Sequence, residues 1–229
     1  MNLKGRLKLV ANMVPVCQTL CDVGTDHAYI PIYLIRQGIC KRAIATDVRP
    51  GPIEKANLNI RQYNMAEYIE TRLGDGLQPI KEHEAEIIVI AGMGGQLIRN
   101  ILSEGIEKAR SAKRLIIQPM GSVEDVRKWL FENGFEISDE GLAMERDKIY
   151  NVISAGWTGQ QTDYNIIDIY IGRRLIEKKE PLLKSYIKRE IAKINTAIDG
   201  LKKSNQDNKD VLEENINLRD EFTKIYAEL

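Results

Sequence analysis

Up to about residue 159 the chain alternates short apolar runs with stretches in which apolar residues recur at helical spacing. The runs predict strands near 19–23, 43–46, 69–73, 86–91, 113–117, 135–138 and 149–155. Two of them, Glu86-Ile87-Ile88-Val89-Ile90-Ala91 and Lys113-Arg114-Leu115-Ile116-Ile117-Gln118, are nearly continuous in apolar residues, as central strands covered on both faces are. Helices are expected between them, near 27–38, 51–64, 94–103 and 122–133. Pro52 sits where a first helical turn tolerates proline, and Gly134 ends the helix that carries Trp129 and Leu130. This alternation predicts an α/β fold with a parallel sheet. The last two candidate strands have no helical stretch between them, which predicts a closing antiparallel hairpin.

The pattern changes after Trp157-Thr158-Gly159-Gln160-Gln161. Apolar residues then recur at Ile176, Leu183, Ile187, Ile191, Ile194, Ile198 and Leu201, and again at Val211, Leu218, Phe222, Ile225 and Leu229. That is helical or heptad spacing, interrupted by Ser204-Asn205-Gln206-Asp207-Asn208. Two domains are expected: an α/β domain over 1–159 and an antiparallel helical hairpin over 160–229.

Composition narrows the class. Hydrophobic residues make up 43% and charged residues 29%, as in ordinary globular proteins, and the formal net charge is zero. No apolar run reaches the roughly 18 residues of a membrane span, and the first residues do not read as a signal peptide. Cys17, Cys21 and Cys40 lack CxxC spacing and read as buried apolar residues; with only His27 and His83 besides, no metal centre is expected. The neutral total hides a basic segment, Arg173, Arg174, Lys178, Lys179, Lys184, Lys188, Arg189 and Lys193, followed by an acidic close. That segment reads either as a helix that holds RNA phosphates or as a solvated face that pairs with the acidic second helix.

The candidate chemistry lies at strand ends. Asp22-Val23-Gly24-Thr25-Asp26-His27 is a strand, a glycine turn and a helix start, and Asp47 follows at about the spacing of a ribose-binding acid. Gly74-Asp75-Gly76 closes the third strand, where a carboxylate can accept an adenine's exocyclic amine. Each alone reads equally as a plain turn. Together, Asp22, Asp47 and Asp75 line one sheet edge, at the carboxyl ends where ligands bind in such folds. Nicotinamide and S-adenosylmethionine enzymes both use this arrangement. Ala91-Gly92-Met93-Gly94-Gly95 ends the fourth strand, where glycines permit close approach of a flat base. Gln118-Pro119 ends the fifth; Gln118 either bonds that base or only sets the turn.

In this order, Arg6-Leu7, Asp22-Val23-Gly24-Thr25-Asp26-His27, Thr46-Asp47-Val48 with Gly51-Pro52, Gly74-Asp75-Gly76, Ala91-Gly92-Met93-Gly94-Gly95 and Gln118-Pro119 resemble the bacterial tRNA (adenine-N1)-methyltransferase family acting on adenine 22. The likeness spans essentially the whole chain. It departs from the general methyltransferase pattern in having one glycine in the first loop and Ala91-Gly92-Met93-Gly94 in place of Asn/Asp-Pro-Pro-Tyr. The resemblance implies a Rossmann-like class I methyltransferase sheet with a C-terminal coiled-coil hairpin that contacts tRNA. It implies S-adenosylmethionine as cofactor, held by Asp22, Gly24, His27, Asp47, Val48, Asp75, Gly76, Ala91 and Gly92. The adenine would meet Arg6, Tyr29, Met93, Gly94 and Gln118, with Asp26 stabilising charge at the reacting ring and Arg6, Lys8 and Arg49 holding phosphates. It also implies a cytoplasmic protein, read as a monomer rather than a homodimer, that binds tRNA and no membrane. The alternatives left by the residues are a methyltransferase with a protein or small-molecule acceptor and a nucleotide-binding oxidoreductase.

Overall fold

The computed structural model describes residues 1–203 and 208–229. Most of the interruption expected between the C-terminal helices, Ser204 to Asp207, lies outside the described residues. Two compact units follow one another, Met1–Asp163 and Tyr164–Leu229.

The first unit is built on one sheet. Its strands are β1 (Cys17–Val23), β2 (Cys40–Asp47), β3 (Ile69–Leu73), β4 (Ile87–Met93), β5 (Arg114–Pro119), β6 (Phe135–Glu145) and β7 (Lys148–Trp157), in spatial order β3-β2-β1-β4-β5-β7-β6. β1 to β5 are parallel, whereas β7 runs antiparallel to both β5 and β6. The apolar run of β4 is central: Ile87 to Ile90 are at most 1% exposed, because helices cover both faces. Those helices are α1 (Gly5–Met13), α2 (Tyr29–Arg36), α3 (Pro50–Gln62), α4 (Gly95–Glu104), α5 (Ile106–Ser111) and α6 (Val123–Glu132). The order in which strands are added reverses between β1 and β4. From β1 the connections run outward to β2 and β3, and from β4 they run the other way, which opens a crevice at the carboxyl ends of both strands.

Two features depart from the pattern-based expectation. α1 was not expected, although Leu7, Val10, Ala11 and Val14 follow helical spacing and Val10 and Ala11 are wholly buried. β6 extends seven residues beyond the expected 138, to Glu145, past a register shift between Ile137 and Asp139. Its second half looked polar in the sequence because Glu140 is charged. Yet Glu140 is buried, its Oε1 accepting from Arg127 Nε of α6 at 2.7 Å. Arg127 Nη2 donates in turn to Asn151 Oδ1 of β7 at 3.0 Å. This network ties α6 to the antiparallel hairpin.

The second unit holds α7 (Ile166–Tyr170), α8 (Arg173–Glu177), α9 (Leu183–Lys203) and α10 (Lys209–Glu228). Lys184, near the start of α9, lies 5.1 Å over the ring of Tyr226, near the end of α10, so the two helices are antiparallel. The basic segment is not one helix. It breaks after α8, where Lys179 takes a φ of +52° and Pro181 follows. Two of its cations pair within their own helices, Arg174 with Glu177 and Lys193 with Glu190. Asp168 closes α7 by a capping box with Asn165 and holds Arg173 at 2.6 Å.

A buried ion pair stripped of one partner leaves an uncompensated charge, which costs about 3–5 kcal/mol. Glu140→Ala is therefore expected to lower stability by that order in equilibrium urea unfolding. Replacing Arg127 and Glu140 together with apolar residues of similar volume should recover most of the loss. A single-variant loss under about 1 kcal/mol would show that Arg127 does not depend on Glu140.

Candidate active site

The crevice at the ends of β1 and β4 forms a cleft of about 900 Å³. Its geometry starts at Gly24, whose φ of +75° only glycine adopts without strain. The N–H groups of Gly24 and Thr25 both donate to Thr46 O, at 2.8 Å each, so the end of β1 is tied to the end of β2. Thr25 Oγ1 accepts from Ala28 N at 3.1 Å, and Ala28 takes a left-handed φ of +53° before α2 begins. Between those fixed points Asp26 and His27 face the cleft.

Helix α3 holds them there. Lys55 Nζ lies 3.4 Å from Asp26 Oδ1, and His27 Nε2 lies 3.2 Å from Asp26 Oδ2. Asn59 Nδ2 donates to His27 O at 3.0 Å and sits 3.4 Å from the ring Nδ1. The His27 ring stacks on Tyr29, centroids 4.9 Å apart and planes 9° from parallel. At the α3 start, Arg49 N–H donates to Asp47 Oδ1 at 2.8 Å, while Asp47 Oδ2 meets no partner among the described residues.

Asp22 forms the floor. It is buried, and burial raises its carboxyl to about 7, opposed by the hydrogen bond from Thr25. The cleft thus combines a buried carboxyl, two further carboxylates and the cations Arg6, Arg49 and Lys55.

Of the residues singled out in the sequence, Arg6, Asp22, Gly24, Asp26, His27, Tyr29, Asp47, Val48, Ala91, Gly92 and Met93 line this one cleft. Asp75, Gly76, Gly94 and Gln118 are not among its lining residues. Asp75 is exposed just past β3, whose end is joined to β2 by Gly74 N–H donating to Asp47 O at 3.0 Å. Gln118 is fully buried, and its Nε2 donates to Pro119 O at 2.7 Å while Oε1 has no partner. Lys8 turns to the hydroxyl and ring of Tyr33. The glycines after β4 also divide by role. Gly92 takes a φ of +81° in open space, but a Cβ on Gly95 would lie 2.1 Å from Ser122 O, so Gly95 serves the packing of the chain on itself.

Sequence reasoning missed Thr25, Lys55 and Asn59. The last two carried a signal: they are four residues apart on a helix that starts at Pro50, hence on one face of it.

Residues 3–153 match the family described as methyltransferase domain. A tRNA (adenine(22)-N(1))-methyltransferase of Bacillus subtilis is 36% identical over 172 residues, 75% of this chain and 72% of that protein. Among solved structures, a Streptococcus pneumoniae protein in complex with S-adenosyl-L-methionine aligns with a TM-score of 0.83 at 35% identity, over 95% of this chain and 97% of that one. M. capricolum TrmK, in complex with the cofactor product S-adenosyl-homocysteine, aligns with a TM-score of 0.83 at 27% identity over 98% of each chain.

Asp22 makes stability depend on pH. Its ordinary value is 3.8, and folding raises it to about 7. The folded protein therefore keeps a proton that the unfolded chain releases across this window, and stability falls as pH rises through it. Above that window both states are ionised and the full penalty stands, up to about 4 kcal/mol for three pH units. Asp22→Asn carries no such charge. Without ligand, its stability in urea unfolding should gain on the parent as pH rises from about 4 to about 7 and hold its lead above that. A difference that does not vary with pH would overturn this account.

Proposed function

The chain belongs to the tRNA (adenine(22)-N(1))-methyltransferase family, and from that premise we propose that it transfers a methyl group from S-adenosylmethionine to N1 of adenine 22 in tRNA. The observation that carries the reading is the convergence of Asp22, Asp26 and Asp47 with His27, Tyr29 and Met93 on one cleft at the point where the strand order reverses.

The residues present fit the cofactor. The cleft volume of about 900 Å³ falls in the range of small-molecule sites. Asp47 keeps one carboxylate oxygen unpartnered where a ribose diol would donate, and Asp22 presents a buried acid to a cationic ligand. When bound, S-adenosylmethionine supplies the activated methyl group. In this reading Asp22 and Gly24 lie beneath its methionine portion and Asp47 holds its ribose. Val48, His27, Ala91 and Gly92 complete the wall, and Asp75 with Gly76 flanks the adenine end, supported by the bond that joins the ends of β2 and β3.

Adenine N1 carries a free lone pair, so no base has to remove a proton before attack, and the methylated ring is cationic. Catalysis is then mainly positioning, with Asp26 stabilising the charge that develops. Tyr29 and Met93 receive the base, which has to be turned out of the folded tRNA; Gly94 and Gln118 shape the adjoining strand ends. Arg6 and Arg49 at the rim, and Lys8 nearby, offer positive charge to phosphates, as do the cations of the helical unit over 160–229. We read the chain as a cytoplasmic monomer. That reading is supported by α9 and α10 covering each other within one chain and by Tyr170 against Phe222 at 6.3 Å. Among the described residues no helix is long and apolar enough to cross a membrane, and no cluster of three or more His, Cys, Asp or Glu could hold a metal.

Incubation with labelled cofactor and unmodified bacterial tRNA should yield 1-methyladenosine at position 22, read by nucleoside mass spectrometry and site mapping. Methylation confined to proteins or small molecules would overturn the proposal. Asp26→Asn should lower kcat roughly tenfold to a thousandfold with cofactor affinity nearly unchanged. Equal loss in both would reduce Asp26 to a binding residue.

A further inference from the structure

Arg6 reaches the cleft from the first turn of α1. The hold on it comes from the far edge of the sheet. Glu145, the last residue of β6, accepts from the Arg6 backbone N–H at 2.7 Å and from Arg6 Nη1 at 2.6 Å. Gly5 makes room for that carboxylate: its φ is +53°, and a Cβ there would lie 2.2 Å from Glu145 Oε1. The guanidinium is further seated over the ring of Tyr150 on β7, 5.4 Å from its centroid.

Helix α1 has no side-chain cap of its own, so the Glu145 carboxylate also satisfies one of its free N-terminal N–H groups. The ion pair itself is partly exposed, at 28% and 29%, and such pairs add little stability. What the carboxylate does fix is direction, since it holds the backbone N–H of Arg6 with one oxygen and Nη1 of the same residue with the other. Arg6 Nε stays without a hydrogen-bond partner, and Nη2 meets none among the described residues. The guanidinium is thus held by Nη1, its Nε is shut away from solvent, and Nη2 is left to bind.

We propose that Glu145 is a positioning residue: with Gly5 and Tyr150 it clamps Arg6 at the cleft rim, so that the guanidinium meets a phosphate beside the nucleotide whose base enters. The inference rests on the tRNA-methyltransferase reading above and assigns a role to the tip of the β6–β7 hairpin, which contributes nothing else to the cleft lining.

The test uses the full chain with unmodified tRNA. Glu145→Gln keeps the shape but turns one acceptor into a donor. It should raise the KM for tRNA roughly tenfold while kcat changes less than about twofold. Calorimetric affinity for S-adenosylmethionine should stay at the parent value, a readout that general unfolding would not spare. Gly5→Ala, which displaces the carboxylate without altering it, should do the same. Arg6→Ala should match Glu145→Gln, and the Arg6→Ala/Glu145→Gln pair should lose no more than either alone. A parental KM in Glu145→Gln, or additive losses in the pair, overturns the clamp. Parental KM in Arg6→Ala overturns the phosphate contact, and with it the clamp's purpose. Absence of tRNA methylation by the parent protein would instead sink the functional reading from which the inference starts.

Discussion

The cleft depends on one bifurcated arrangement: two successive amide N–H groups, of Gly24 and Thr25, donating to the single carbonyl of Thr46. It stops β1, fastens it to the neighbouring strand and sets three acids around one opening. Asp22 lies two residues before the turn, Asp26 just beyond it, and Asp47 directly after the accepting carbonyl. The turn favours glycine at position 24. A φ of +75° strains any residue with a Cβ, and a Cβ there would push Met93 Cε, 1.9 Å away, out of its place. The same atomless side chain therefore makes the turn and lets β4 bring Met93 across it.

Two buried acids show how differently such groups can be used. Glu140 is sealed in with Arg127 and Asn151, and its charge is answered within the protein. Asp22 is equally hidden but has only the Thr25 hydroxyl, and burial lifts its carboxyl to about 7. A protein that answers one buried acid and leaves the other without a counter-charge retains a destabilising group at the floor of its cleft. In the proposed function a cationic ligand offsets it there, so function and stability pull apart at Asp22.

The sheet was legible because its signals are local. Near-continuous apolar runs mark β4 and β5, and a missing helix between the last two strands marks the antiparallel hairpin. What failed involved partners distant in sequence. The second half of β6 was left out of the expected strand, because nothing near Glu140 in the chain announces Arg127. Gly95 looked like a ligand contact, since glycine signals close approach without saying to what; its neighbour is the backbone at Ser122. The basic run after Arg173 looked like one helix because charge count ignores the break at Lys179 and Pro181. In the site, the acids at the strand ends stood out, but the residues that hold them still did not, because Lys55 and Asn59 lie in an ordinary-looking helix.

That helix links the two halves of the cleft. The backbone N–H of Arg49, at the N-cap of α3, fixes Asp47 on one side of the cleft. Lys55 and then Asn59, further along the same helix, fix Asp26 and His27 on the other side. Positioning chemistry rewards rigidity, because small displacements of reacting groups cost rate steeply. Holding both sides from one helix makes their separation a property of α-helical geometry, which is stiff, and not of loops, which are not. A change that shifts α3 would then move Asp47 on one side and Asp26 with His27 on the other together. Its effect should fall on binding and turnover alike, unlike a change at Asp26 alone.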